Sequence, residues 1–459
     1  MYAFDVRPSE LGERLYVPLY RARNLLSDLE TRGILDVRSL GSACRVSSGT
    51  YVPSYGATGK LYLRVDNVRE FACNLNEGDT VRVAASAKAV SQRVLVRDGD
   101  VLIARTGTLG KAALALGPIG GAVMSQHLTR LTPHDPATLY PGYLAAFLNC
   151  DLGRLQLLYS SYGSTRRELT HSALRAVKLA LPPPEAQAEI HRAVISGVSQ
   201  MYESREFFAS ALAELEELLG IRKRHAPVEM AFTLPGARLI EPWTPRFHRP
   251  AYLRMLARVQ AEFVCKPLGD LATIERGRGT RASEYAMTGI PFIRTTGLIN
   301  FGIDPFPDHY ATDDTVELFG QPVREGDILF SIEGKVGEVA YLTSSDACVF
   351  KNHIERVRCR PPLDPLYVFL CLSSVLGRSQ AAKNTVVQAT LPGMAGRLRT
   401  FLIPIEPRDS GQREGFRQRL RMLLQRARTA AAARAGATHK LRAAKQAAER
   451  MLEEAATAA

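Results

Sequence analysis

At 459 residues the chain is long enough for two or three domains with cores of their own, and its net charge of +13, with Arg outnumbering Lys, points to a polyanionic partner such as nucleic acid. Seven cysteines include no CxxC pair and no neighbouring His cluster, which argues against a zinc site or a disulfide framework and predicts reduced, buried thiols in a cytoplasmic protein. The first ten residues carry no apolar core, and no stretch approaches about 18 uninterrupted apolar residues, so neither a signal peptide nor a membrane span is expected.

In chain order, apolar spacing predicts a short helix over residues 20–32, then a strand-and-turn region rich in Gly and β-branched residues. Within it Arg97-Asp98-Gly99-Asp100 reads as a turn feeding the strand Val101–Ala104. A helical segment over 143–159 follows, and a strand over 177–181 closes the globule at Pro182-Pro183-Pro184. Residues 185–220 then read as one long helix with the seam Ile190, Val194, Val198, Met201, Phe208, Leu212, Leu215 and Leu219, in steps of three, four and seven. The plan begins again with a helix over 250–263. The turn Arg324-Glu325-Gly326-Asp327 feeds the strand Ile328–Ser331, a helix covers 366–376, and a strand over 401–405 closes the second globule. A second long helix over 412–454 carries the seam Phe416, Leu420, Leu423, Ala427, Ala430, Ala437 and Leu441.

The sequence itself repeats. Leu40-Gly41-Ser42 returns as Leu268-Gly269-Asp270, and Tyr62-Leu63-Arg64 as Phe292-Ile293-Arg294. Val96-Arg97-Asp98-Gly99-Asp100-Val101-Leu102, with Gly107 and Gly110 behind it, returns as Val323-Arg324-Glu325-Gly326-Asp327-Ile328-Leu329 with Gly334 and Gly337. Ser125-Gln126-His127 returns as Lys351-Asn352-His353. Four blocks in the same order at a near-constant offset indicate a duplicated, domain-sized unit. The expected fold is α+β: two duplicated α/β domains joined by two long antiparallel coiled-coil helices. The expected divisions are a first domain over 1–184, a central helix over 185–221, a second domain over 222–408 and a terminal helix over 409–459. The first long helix is rich in Glu and the second in Arg and Lys, so the two are expected to pair with each other. A helix of about 36 residues spans roughly 54 Å, or on the order of 15 base pairs, which suits a ruler between two halves of a split DNA site.

No catalytic constellation emerges. Gly107-Thr108-Leu109-Gly110-Lys111 is not a phosphate-binding P-loop, because the required first glycine falls on Arg105 and Ala112 follows the lysine. His127 and His353 have no carboxylate or Cys at a triad or ligand spacing and read as structural or DNA-facing. An adenine-methylation motif, a glycine-rich cofactor loop after a clear strand and a nuclease constellation are all missing from the sequence. No metal or cofactor is expected. Polar loops over 161–167 and 384–390 differ most between the copies, as two different half-sites would require. The candidate DNA contacts are Arg64, Arg105, Thr108, Gln126, Arg166 and Arg167 in the first copy. In the second they are Arg294, Lys335, Lys351, Asn352, Gln388 and Thr390.

The ordered set of motifs resembles the specificity subunits of type I restriction–modification systems. It rests on the Leu-Gly-Asp turn Leu268-Gly269-Asp270, the strand arginines Arg64 and Arg294, and the Gly-Asp-Val/Ile-Leu turns. The closure Leu181-Pro182-Pro183-Pro184-Glu185-Ala186-Gln187-Ala188-Glu189-Ile190 completes it, whereas the second copy departs with extra residues around Ile403-Pro404-Ile405-Glu406-Pro407. The resemblance implies a non-enzymatic subunit in which each target recognition domain reads one half of a bipartite site on double-stranded DNA. It further implies that the helical pair docks two adenine methyltransferase (modification) subunits, with a nuclease or translocase subunit as a further partner in phage defence. A non-catalytic coiled-coil scaffold whose globules bind protein is the alternative expectation.

Overall fold

The computed structural model describes residues 17–457 except 57, 77–78, 85–86, 88–89, 108, 163–166, 222–230, 234–235, 237–244, 280–284, 287, 389–390 and 395. The structure mixes helices and strands and divides into two compact units, Met1–Tyr202 with Gly436–Ala459, and Glu203–Ala435.

In the first unit, α1 (Val17–Thr31) is followed by β1 (Asp36–Ser39), α2 (Leu40–Ala43) and β2 (Cys44–Ser48). Next come β3 (Lys60–Leu63), β4 (Val81–Val83), β5 (Val101–Ala104), β6 (Ala112–Leu114), β7 (Val123–Met124) and β8 (Leu128–Pro133). The unit's helices are α3 (Pro141–Asn149), α4 (Asp151–Tyr159) and α5 (His171–Ala176), and β9 (Lys178–Leu181) pairs antiparallel with β1. The main sheet runs β2-β8-β5-β6, and a smaller sheet runs β4-β3-β7 with β3 parallel to β7. β5 and β6 are wholly buried, which fits their unbroken apolar sequence.

The second unit repeats this wiring. Its elements include α7 (Pro250–Glu262), β10 (Phe263–Pro267), α8 (Leu268–Leu271), β11 (Ala272–Arg276) and β12 (Ile290–Ile293). They continue with β13 (Leu298–Ile299), β14 (Gly302–Ile303), β15 (Tyr310–Ala311), α9 (Asp313–Phe319), β16 (Ile328–Ser331), β17 (Val339–Tyr341), β18 (Val349–Phe350) and β19 (Ile354–Cys359). The sheets run β11-β19-β16-β17 and β15-β12-β18, again with the central short strand β12 parallel to β18. Helices α10 (Pro365–Ser373) and α11 (Val375–Asn384) precede the hairpin β20 (Val386–Gln388) and β21 (Leu391–Gly393), and β22 (Leu402–Pro407) pairs with β10.

The repeated glycines and aspartates have structural explanations. Gly99 and Gly326 adopt φ of +88° and +85°, where a side chain would be strained. One residue on, the Asp100 carboxylate accepts from the Arg97 N–H at 2.7 Å, and that of Asp327 accepts from the Arg324 N–H at 2.9 Å. Each buried carboxylate is also held from the neighbouring strand: Asp100 by the Thr132 hydroxyl at 2.6 Å, Asp327 by Arg358 at 2.7 Å. The Gly-Asp motif therefore builds the turn that launches the central buried strand.

Two long helices are present, α6 (Pro184–Leu218) and α12 (Arg413–Thr457). In the first unit they run antiparallel. Lys440 Nζ donates to Ser196 Oγ at 2.8 Å, and four residues back along α12 a Cβ on Gly436 would lie 3.5 Å from Gln200 Oε1, four residues further along α6. In the second unit the direction is the same, since Ser204 Oγ donates to the Ala430 carbonyl at 2.7 Å and Arg426 pairs with Glu214. Of the expected seam, Ile190, Val194, Val198, Leu212, Leu215, Phe416 and Leu441 are buried and Leu420 is half-buried. The charges do not simply cross from helix to helix. Lys445 reaches the buried Glu70, Arg428 pairs with Asp364, and Arg413 pairs with Glu406. No described helix is long and apolar enough to cross a membrane.

Three elements differ from expectation. The segments 143–159 and 366–376 each break into two helices, at Cys150 and Ser374. In each pair the second helix packs back onto the end of the first. A Cβ on Gly153 would meet the Phe147 carbonyl at 2.1 Å, and one on Gly377 the Leu372 carbonyl at 2.1 Å. The third is the expected loop over 384–390, part of which forms the hairpin strand β20.

Candidate nucleic-acid interface

In both units three backbone segments converge at one end of the four-stranded sheet. In the first, Gly49 follows β2 so closely against the turn between β7 and β8 that a Cβ would lie 2.2 Å from the Ser125 carbonyl oxygen. The Arg105 N–H, just past β5, donates to the His127 carbonyl at 2.9 Å, and the Leu169 N–H donates to the Arg105 carbonyl at 2.8 Å. The second unit matches contact for contact: Gly277 against the Lys351 carbonyl at 2.2 Å, Ile332 N–H to His353 at 2.9 Å, and Met394 N–H to Ile332 at 3.0 Å. Each cluster is bordered by a short hairpin, formed by the Tyr162–Glu168 bridge in the first unit and by β20–β21 in the second. Both hairpins carry exposed apolar side chains, Tyr162 in one and Val387 with Leu391 in the other.

The first unit gathers its side chains around His171. Thr170 caps α5 by accepting from the Ala173 N–H at 3.1 Å, which fixes His171 at the start of that helix. His171 Nε2 lies 2.9 Å from Arg105 Nη1 and 2.8 Å from Ser48 Oγ. A guanidinium can only donate, so Nε2 accepts from it. Burial, and then Arg105 and Arg175, hold the imidazole pKa below the usual histidine value, which keeps the ring neutral at neutral pH. Arg105 Nη2 also pairs with Glu168 Oε1 at 3.2 Å. Gln126 is exposed in the neighbouring turn, 3.4 Å from His127 Nε2, and Arg167 is exposed beside Glu168. Arg64 leaves β3 where the Leu63 carbonyl accepts from the Ser125 N–H at 2.9 Å, and its guanidinium donates to the Asp79 carbonyl at 3.0 Å.

The second unit gathers its side chains around Glu333. Arg276 pairs with this carboxylate while its Nε donates to the Asn352 carbonyl at 2.6 Å, and His353 Nε2 lies 3.3 Å from Glu333 Oε2. Burial lowers the His353 pKa, Glu333 works in the opposite direction, and the cations Lys351, Arg276 and Arg294 reinforce the depression. The ring is therefore neutral at neutral pH, and the contact with Glu333 is not an ion pair there. Among the described residues the buried Asn352 Oδ1 has no hydrogen-bond partner, and Lys351 is half-buried beside it. Lys335, on the adjoining glycine turn, pairs with Glu338 at 3.3 Å. Arg294 is exposed, with Nη1 3.3 Å from His309 Nε2, and the His309 ring stacks on Tyr285 at 4.3 Å.

The structure thus brings Arg64, Arg105, Gln126 and Arg167 to one sheet end in the first unit, and Lys335, Lys351 and Asn352 to the corresponding end in the second. Arg294 leaves β12 beside Lys351, whose N–H donates to the Ile293 carbonyl at 3.0 Å. Thr108, Arg166, Thr390 and the side chain of Gln388 lie outside the described residues. Sequence reasoning missed Glu168, His171, Arg276 and Glu333. Arg276 was within reach, since it adjoins the repeated Gly277. Among the described residues no group of three His, Cys, Asp or Glu side chains could hold a metal ion.

Residues 65–194 match the family described as "Type I restriction modification DNA specificity domain". The resemblance read from the motifs therefore stands over this segment, which carries β5 to β9, Gln126 and Arg167. Three solved structures show similarity to this chain. The S subunit of a type I restriction–modification system from M. genitalium is 12% identical with a TM-score of 0.38, covering 92% of this chain and 95% of that one. The HsdS subunit from Thermoanaerobacter tengcongensis is 18% identical with a TM-score of 0.29, covering 92% and 96%. A chain from a study of complex assembly and conformational transition of the type I R-M system is 17% identical with a TM-score of 0.29, covering 92% and 97%. No curated protein matches the chain.

Proposed function

We propose that this chain is the non-catalytic DNA-recognition subunit of a restriction–modification system, with one target recognition domain in each duplicated unit. The observation that carries the reading is a conjunction. One unit contains the specificity-domain match, and the other repeats its strand order and gathers Arg and Lys side chains at the same sheet end. Cations of this kind supply affinity by displacing counterions from phosphates. Polar side chains among them can discriminate base edges, each good bidentate contact contributing about 1–3 kcal/mol. In this reading residues 1–184 and 222–408 each read one half of a bipartite site. The helices over 185–221 and 409–459 form an antiparallel coiled coil that sets the spacer and docks two adenine methyltransferase subunits. A nuclease or translocase subunit completes the assembly in the cytoplasm.

The test is to combine the chain with its modification subunit and map methylation across random DNA. The expected result is a split motif of fixed spacer. Changing Arg167 to Ala should alter one half of it, and changing Lys351 and Asn352 to Ala the other. Methylation without sequence preference, or both halves failing together in each variant, would refute the reading.

A further inference from the structure

In both units a partly exposed carboxylate lies among the cations of this face. Glu168 stands beside Arg105 and Arg167; Glu333 stands beside Arg276 and His353, with Lys351 on the same turn. The two are not equivalent in sequence. Glu168 comes from the hairpin beyond α4, whereas Glu333 comes from the strand exit after β16. They nevertheless reach the same position in the repeated wiring, where the chain leaving the central buried strand meets the bordering hairpin: Thr106 bridges Glu168 in one unit, and Glu333 bridges Gly393 in the other. Neither carboxylate is sealed off, since the Glu168 side chain is 39% exposed and that of Glu333 24%.

A negative charge on a phosphate-binding face weakens binding to any duplex. It favours binding where it meets a donor, and the donors that a base edge offers in the major groove are the exocyclic amino groups of cytosine and adenine. Each carboxylate also has a guanidinium at hydrogen-bonding distance, which suits the acceptor atoms of guanine. Resting on the DNA-recognition reading above, we propose that Glu168 and Glu333 are specificity determinants, each accepting a hydrogen bond from the exocyclic amino group of one base in its own half-site.

The experiment uses the chain assembled with its modification subunits, with Glu168→Leu and Glu333→Leu introduced separately. Leu keeps roughly the volume of the side chain and removes both its charge and its acceptor oxygens, whereas Gln would still accept from the amino group. Each variant should lose discrimination at one base position by about tenfold or more, in one half-site only. Its affinity for duplex lacking the site should rise, because a repulsion is gone. As a second measurement, the wild-type assembly is tested on duplexes carrying 2-pyrimidinone for cytosine, or purine for adenine, at each position in turn. These analogues lack only the amino group. The wild-type should weaken at one position per half-site, and the matching Leu variant should not weaken there further. An unchanged base preference in the Leu variants, or a wild-type indifferent to every analogue, would overturn the inference while leaving DNA recognition intact. Complete absence of sequence preference in the wild-type would overturn both.

Discussion

Two glycines and one histidine show how tightly the candidate interface is built. Replacing Gly277 by Ala places a Cβ 2.2 Å from the Lys351 carbonyl oxygen and 2.5 Å from that of Phe350. Both obstacles are backbone, so the strain cannot be relieved by turning a side chain, and a loss of about 1–3 kcal/mol or more is expected in denaturant unfolding. Gly49→Ala should behave alike in the first unit, where the obstacles are the Ser125 and Met124 carbonyls. His171 makes stability depend on pH. Its folded pKa is lowered, chiefly by burial, so on acidification the unfolded chain takes up its proton first, near pH 6.5. Stability is then full above about pH 6.5, falls as pH drops toward the folded pKa, and levels off below it. Denaturant midpoints at pH 7.5 and 5.5 should differ less in His171→Gln than in the wild-type chain; an equal difference would remove His171 from the account.

Among the described elements, the β13–β14 hairpin and α12 approach closely. Arg434 is almost wholly buried in the second unit and donates to the Ile303 carbonyl, while a Cβ on Gly302 would fall 1.9 Å from its guanidinium carbon. Gly302→Ala should therefore destabilise the second unit by about 1–3 kcal/mol, and Gly302→Ala combined with Arg434→Ala by less than the sum of the two single changes. How far such elements can be read from sequence depends on how local their causes are. The strands Val101–Ala104 and Ile328–Ser331 were legible because the Gly-Asp turn that starts each lies next to it. The long helices were legible because their seams repeat every few residues. The breaks at Cys150 and Ser374 were not, because they follow from one helix packing onto the end of another. The candidate site was only half legible for the same reason. Cations in the repeated blocks could be picked out. The partners Glu168 and Glu333 lie 63 residues from Arg105 and 57 from Arg276, with no spacing to announce them.

For the whole molecule, the proposed ruler makes a quantitative prediction. Seven residues inserted after Val198 and seven after Ala437 keep the seam in register, because it repeats every 3.5 residues. They lengthen each helix by about 10.5 Å, roughly three base pairs. The preferred spacer should grow by that amount with both half-site sequences unchanged; methylation mapping that returned the original spacer would show that the helices do not measure it. Removing residues 412–459 should uncover the apolar seam Ile190–Leu219 and cause aggregation, read by light scattering. The division of the chain also has a temporal side. The second unit is one uninterrupted stretch, Glu203–Ala435, whereas the first is finished only by Gly436–Ala459. Protein synthesis ordinarily completes domains from the N-terminus onward. Here the half begun first must wait for residues 436–459 to leave the ribosome, while the half begun second can close before them. A nascent chain held with residue 435 just outside the exit tunnel should accordingly carry a protease-resistant second unit and an unfinished first one.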